Sequence, residues 1–305
     1  MELNQLRTFL TVAEEKHLTR AAERLYTSQP AVSAQLKALE SFLGVPLFER
    51  TPKGMLLTPA GQTLLPQASA ILNAARAMED DARAIQGKVM GKLTIGVNSD
   101  FSFLRLPTLL DTLRQDYPGI QLSLINSMSA TITTDIRKNT LDSGFFFGPC
   151  SSADLHIMQL ALVNSAIVAP ARWKDRTQHA SIEELARLPW IYTTDQCPFY
   201  ALKEALFENT ELRPAKSVFV DTEAAIRDLI QNESGISLLR ADDARKAEQE
   251  GWGVRWAGTT PSISLNIAVR ANRLQEPLIQ AWLKTLADCW NLNQNAAEDL
   301  ELDVI

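Results

Sequence analysis

The sequence has little of what reactive chemistry usually needs. Its three cysteines, Cys150, Cys197 and Cys289, lie far apart and make no paired spacing of the kind that reads as a zinc site or a disulfide framework. Free thiols are the expectation. The three histidines, His17, His156 and His179, are just as scattered, and HExxH is missing along with GxSxG and GxxxxGK[ST]. An enzyme is therefore not expected, nor is a metal or any other cofactor. Apolar runs are also short: none reaches the roughly 18 residues of a membrane helix, and the start, MELNQLRTFL, has no basic segment followed by an apolar run. A soluble cytoplasmic protein with no membrane partner is expected.

What is present is an ordinary globular composition, 46% apolar and 22% charged, over 305 residues, long enough for two or three domains. The formal charge of −6 argues against nucleic-acid binding by the whole surface, so any such contact must come from a local patch. The charge is uneven. Residues 1–58 hold seven basic and six acidic side chains, a net +1, which leaves −7 for the rest.

The first sixty residues read as three short helices and a hairpin. Asn4 and Thr19 are suitable caps for the first two helices, and Ser28 for the third, with Pro30 tolerated in its first turn. That third helix buries Val32, Leu36 and Leu39 and shows Gln29, Ser33, Gln35 and Lys37 on its other face. Gly44 ends it. PLFER and MLLT then flank Thr51-Pro52-Lys53-Gly54 as a wing. Thr58-Pro59 starts a long helix on which Leu64, Ala68, Ile71, Ala75, Met78, Ala82 and Ile85 recur in steps of four and three, a seam that wants a partner helix. A helix-turn-helix alone is a common packing solution, but a polar third-helix face, a wing with Arg50 and Lys53 and local positive charge together suit groove insertion and phosphate contact.

From Lys92 onward apolar strands alternate with helical stretches, as in a parallel sheet covered by helices. Strands are expected at LTIGV, IQLSLIN, SGFFFG, VNSAIVA, PWIYT, KSVFV, GISLL and ISLNIAV, with a closing helix near 276–290. The tail from Asn291, with four acidic and no basic residues, is expected to be frayed.

Met1 to Gly61 resembles the N-terminal domain of LysR-type transcriptional regulators, through LRTFLTVAEEKHLTRAAERLYTSQPAVSAQLKALE and LGVPLFERTPKGMLLTPAG. The resemblance implies a winged helix-turn-helix over 1–58, a linker or dimerisation helix over 59–90, and an α/β effector-binding domain over 91–305. That last domain is expected to be periplasmic-binding-protein-like, with one subdomain near 91–162 and 267–292 and a second near 163–266. It also implies Gln29 and Ser33 as base-edge readers, with Thr27, Ser28, Gln35 and Lys37 near the backbone and Arg50 or Lys53 on a flanking groove. Ala34 stands where a long polar side chain is usual. The implied partners are a double-stranded, A+T-rich operator, further copies of the chain in a tetramer, and a small-molecule effector.

In open sheets, ligands settle beyond the carboxyl ends of strands, where helix N-termini present free N–H groups. Ser99 and Ser129 fall there and coincide with effector positions of the family, although each is equally readable as a helix cap. Phe147, Phe199 and Thr222 should rim the same cleft, and a carboxylate or similar polar head suits the two hydroxyls. Phe145, Phe146 and Phe147 form a run suited to sheet core, with at least one facing the cleft. Asp100 would repel an anion there and otherwise reads as a solvated loop residue. Asn139 replaces a usual glycine but can still stop a helix, and Arg240 stands where the family generally has proline. Peroxide-responsive relatives carry a reactive cysteine in the loop that holds Cys197, followed by a second one. No cysteine follows before Cys289, so ligand sensing is the better reading.

Overall fold

The computed structural model describes residues 1–52, 54–85, 89–208 and 213–292. It divides into two compact units, Met1–Gly91 with Glu276–Leu278, and Lys92–Gln275 with Ile279–Ile305.

The first unit runs α1 (Leu3–Glu15), α2 (Leu18–Arg24), α3 (Gln29–Leu43), the hairpin β1 (Phe48–Thr51) and β2 (Gly54–Leu57), and α4 (Pro59–Ile85). Two starts differ from expectation. Glu2 caps α1 instead of Asn4, because the Gln5 side chain reaches back to accept the Glu2 amide at 3.0 Å. His17 precedes α2, and Thr19 inside it turns its hydroxyl to Gln29. Ser28 does cap α3, accepting the Ala31 amide, and Gly44 ends it at φ 73°, a conformation that favours glycine. Phe9, Val12, Val32, Leu36, Leu39 and Leu47 form one core. Glu40 ties the hairpin to α3 by accepting the amides of Leu47 (2.7 Å) and Phe48 (3.2 Å). Thr58 caps α4 through the Gly61 amide at 2.9 Å; a Cβ at Gly61 would lie 2.2 Å from the Leu47 carbonyl oxygen, so only glycine fits.

In the second unit follow β3 (Met90–Val97), α5 (Leu106–Asp116), β4 (Gly119–Asn126), α6 (Ser129–Arg137), β5 (Ser143–Phe147) and β6 (Leu155–Pro170). Next come α7 (Lys174–Thr177), α8 (Ile182–Ala186), β7 (Pro189–Thr193), α9 (Pro198–Ala205), β8 (Ala215–Val220) and α10 (Glu223–Gln231). The series closes with β9 (Ser237–Arg240), α11 (Ala241–Gln249), β10 (Gly253–Arg255), β11 (Ser262–Arg270) and α12 (Pro277–Cys289). Asn139 takes φ 57° after α6, the left-handed stop its position suggested. The acidic tail lies outside the described residues from position 293.

The sheet is mixed and not parallel throughout. β3 pairs parallel with β5, but β11 is antiparallel to β5 and β6, and β6 to β9 and β10; β7 and β8 form a separate parallel pair. The reason is the length of β6. Its residues 155–164 pair with β11, while Ser165 to Pro170 pair with β9 and β10, so one strand carries the chain between two subdomains and β11 returns it. Each subdomain has its own apolar centre. In the first, Leu93 and Ile95 are buried and Phe145 packs edge to face against Trp282, whose indole donates to Ser143 at 3.0 Å; in the second, Ile191 and Leu238 are buried and Phe207 packs edge to face against Trp190, whose indole donates to the Leu185 carbonyl at 2.9 Å. Among the described residues no helix is long and apolar enough to cross a membrane.

Candidate functional site

The helix-turn-helix presents a polar concave face. Gln29, in the first turn of α3, lines a surface depression of about 490 Å³ together with His17, Thr19, Arg20, Arg50 and Met55. The sequence reading had Gln29 and Arg50 but missed Arg20, which α2 exposes opposite its buried Ala21 and Ala22. Among the described residues no carboxylate lines the depression. Arg24, by contrast, is tied up by Glu14 at 2.6 Å and Glu15 at 2.9 Å. Thr27, Ser28 and Lys37 are exposed, Ser33 is half-buried, and the exposed Ala34 beside it offers only a methyl. Gln35 is turned inward, accepting the Thr8 hydroxyl in a short hydrogen bond that ties α3 to α1. Tyr26 was also missed: its side chain is 97% exposed at the entrance to α3. Lys53 lies outside the described residues.

The stripe along α4 divides in two. Leu64 and Ala68 pack into the core of their own domain together with Leu72, which the four-three spacing had passed over. Ile71 and Met78 are 40% and 73% exposed, with Ala75 half-buried and Ala82 exposed, so only this later part is open to a partner. The Ile85 side chain lies outside the described residues.

In the second unit, strand ends and helix starts enclose a cavity of about 300 Å³. Ser129, Phe147, Phe199 and Thr222 all line it, and Ser99 does not. The Ser129 hydroxyl oxygen accepts from Asn98 Nδ2 at 2.7 Å and from the Phe147 amide at 3.1 Å, which leaves its own proton to donate into the cavity. Phe147 meets Phe199 edge to face with centroids 5.6 Å apart, while Phe145 and Phe146 are sheet core. Thr222 caps α10 through the Ala225 amide at 3.3 Å. Asn98, on the same wall, carried no signal in the sequence beyond following a strand.

Ser99 and Asp100 instead serve an interaction between the subdomains. Arg240, at the end of β9, has a side chain only 1% exposed; it meets Asp100 at 2.7 Å, Asp243 at 2.7 Å, Asp242 at 3.2 Å and Glu223 at 3.4 Å. It also makes a short hydrogen bond to the Ser99 hydroxyl and lies 3.9 Å from the centroid of the Phe103 ring. Ser99, Asp100 and Phe103 belong to the β3–α5 connection of one subdomain, the remaining partners to the other. Asp100 is thus a partly exposed loop residue held in an ion pair, and the arginine in place of proline is its counter-ion. Burial would raise the Asp100 carboxyl, but the Phe103 amide and Arg240 outweigh that and hold it below the usual range. Desolvation by the surrounding protein pushes Glu223 and Asp243 upward despite Arg240.

Comparison with known proteins gives the same outline. Residues 3–62 match the bacterial regulatory helix-turn-helix protein, lysR family, and residues 86–290 match the LysR substrate binding domain. The HTH-type transcriptional regulator YnfL of Escherichia coli, itself uncharacterised, is 31% identical over 260 residues, 84% of this chain and 86% of that protein. The HTH-type transcriptional activator CmpR of Synechocystis is 30% identical over 240 residues, 78% of each chain. Among solved structures, full-length OxyR from Pseudomonas aeruginosa superposes with a TM-score of 0.71 at 25% identity, covering 96% of this chain and 95% of that one.

Removing the guanidinium should expose the repulsion it balances. In Arg240→Met, Glu223 and Asp243 lose the guanidinium, Asp243 keeping only Lys246, and their raised carboxyl values rise further. A carboxyl that holds its proton more tightly folded than unfolded stabilises only below that range, and the stability is lost as pH rises through the folded value. Breaking a buried pair costs about 3–5 kcal/mol, on the order of 10 °C for a domain of this size. The melting temperature should therefore fall well below wild type at pH 7.5, with the gap narrowing by pH 4.5. A gap equal at both pH values would contradict the balance described.

Proposed function

The chain belongs to the LysR family of bacterial transcription regulators, a helix-turn-helix DNA-binding domain followed by an effector-binding domain, and we propose that Gln29 and Ser33 read base edges of its operator. Arg20, Arg50 and Lys37 would contact phosphates, with Thr27, Ser28 and Tyr26 beside them on the sugar-phosphate backbone. The observation that carries this is the shared concave face of Gln29, Arg20 and Arg50, free of carboxylates. Phosphate contacts set register and base contacts set sequence. The division of labour places the DNA-binding domain at 1–58, the linker helix at 59–90 and the effector-binding domain at 91–305, acting in the cytoplasm. The effector sits in the Ser129 cavity, its polar head, a carboxylate or another acceptor, on the Ser129 hydroxyl, with Phe147 and Phe199 covering its apolar part. Ser99 supports that site from outside, donating to Glu223 at 3.4 Å and accepting from Arg240.

Two copies joined through α4, and two such dimers together, would present paired α3 helices to an inverted-repeat site. The exposed Ile71 and Met78, seven residues apart, support this use of the helix.

Gln29→Ala should cost about 1–3 kcal/mol on the operator and relax choice at one base pair. Arg50→Ala should weaken operator and random DNA alike and flatten the salt dependence by roughly one unit of slope. Quantitative gel shift over a salt series separates them, and equal loss on both DNAs from Gln29→Ala would remove α3 from the reading role. For the assembly, Ile71→Asp should lower the sedimentation coefficient to that of a smaller oligomer and abolish operator binding. An unchanged assembly would take α4 out of the interface.

A further inference from the structure

The cavity at Ser129 has a marked excess of acceptors. Asp221 and Glu223 line it and, among the described residues, no lysine, arginine or histidine does. Behind Glu223 stand Asp100, Asp242 and Asp243, grouped on the guanidinium of Arg240. Lys246 is the other cation acting on Asp100 and Asp243. With Asp221, five carboxylates face two cations. Glu223 registers the imbalance: burial, and then repulsion from Asp243 and Asp100, hold its carboxyl above the usual range. Lys203 does not make up the deficit. It is fully buried, donates to the Ile191 carbonyl at 3.0 Å and Ser237 at 3.1 Å, and burial pushes it down to about 7.

Two neutral groups on the wall point the same way. Asn98 spends its Nδ2 on Ser129, which leaves Oδ1 buried without a hydrogen-bond partner; Thr193, only 8% exposed, has its Oγ1 in the same condition. An amide oxygen can only accept, so Asn98 lacks a donor and not an acceptor. Buried polar groups of this kind are normally satisfied in the working state of a protein.

We infer that the effector carries a protonated amine, which sits against Asp221 and Glu223 and offers N–H groups to Asn98 and Thr193, while its acceptor head lies on Ser129. The inference rests on the reading of this cavity as the effector site and adds the charge of its ligand. A carboxylic acid alone would bring a further negative charge to a wall on which no described residue is a cation. A small amphoteric molecule that carries both an amine and an acceptor satisfies both walls within about 300 Å³.

Thermal unfolding and calorimetry of the full chain with three probes of one carbon skeleton, pentylamine, pentanoate and norvaline, test this. Norvaline and pentylamine should raise the melting temperature by mass action, norvaline the more, and pentanoate should not. Asp221→Asn, at a carboxylate outside the Arg240 cluster, and Glu223→Gln should each weaken the amines about tenfold. Stabilisation by pentanoate equal to that by pentylamine overturns the inference, as does no stabilisation by either amine, or amine affinity unchanged in both variants. The cavity reading fails separately. Pentanoate binding that is lost in Ser129→Ala would keep the cavity and remove the amine, whereas amine binding indifferent to both Ser129→Ala and Phe199→Ala would remove the cavity and the inference together.

Discussion

A guanidinium with 1% of its side chain exposed cannot stand in a protein interior without charges to meet it, and Arg240 takes those charges from both halves of the effector-binding domain. Asp100 and Ser99 come from one subdomain, Asp242, Asp243 and Glu223 from the other. The strands β6 and β11 are the covalent links between these halves, and strands can bend where their pairing partners change. Arg240 adds a tie made of charge. Where it holds Glu223, it also shapes one wall of the cavity, so the tie between the two subdomains and the charge on that wall come from a single cluster.

The same accounting of charge separates the arginines of the helix-turn-helix. Arg24 lies in carboxylates from α1 and is already neutralised, whereas Arg20 and Arg50 face a depression that holds none. In a domain with a net charge of only +1, that arrangement concentrates positive potential on the face where Gln29 emerges. The depression beside Gln29 is thus lined by arginines, and the cavity beside Ser129 by carboxylates.

Much of this was legible in the sequence where causes are local. Ser28, Gly44 and Thr58 mark their helix ends by side-chain and backbone chemistry that acts within four residues, and each does so in the structure. Strand positions were legible too, but not strand direction, since alternation of strand and helix says nothing of which strand runs backwards. VNSAIVA was only the second part of β6; in its first part, LHIMQLAL, His156 and Gln159 break the apolar residues into short runs. Periodicity likewise cannot say what a stripe packs against. Leu64 and Ala68 share the spacing of Ile71 and Met78 yet turn into their own core. Asp100 and Arg240 each stood out as irregular, but 140 positions separate them, and only the fold makes them one interaction. Ser99 lies past a strand end as its position suggested, but its hydroxyl meets Arg240 and Glu223 and does not line the cavity, for the same reason.

If Arg240 fixes how the two subdomains close, the distance between them should depend on it. Spin labels introduced by unnatural amino acids at the exposed Gln115 of α5 and Gln249 of α11 would report that distance by pulsed dipolar spectroscopy. The wild-type chain should give one narrow distribution, and Arg240→Ala a longer or much broader one, with the fold of each subdomain retained. Identical distributions in the two proteins would show that the strands alone set the cleft and that the guanidinium cluster does not hold it.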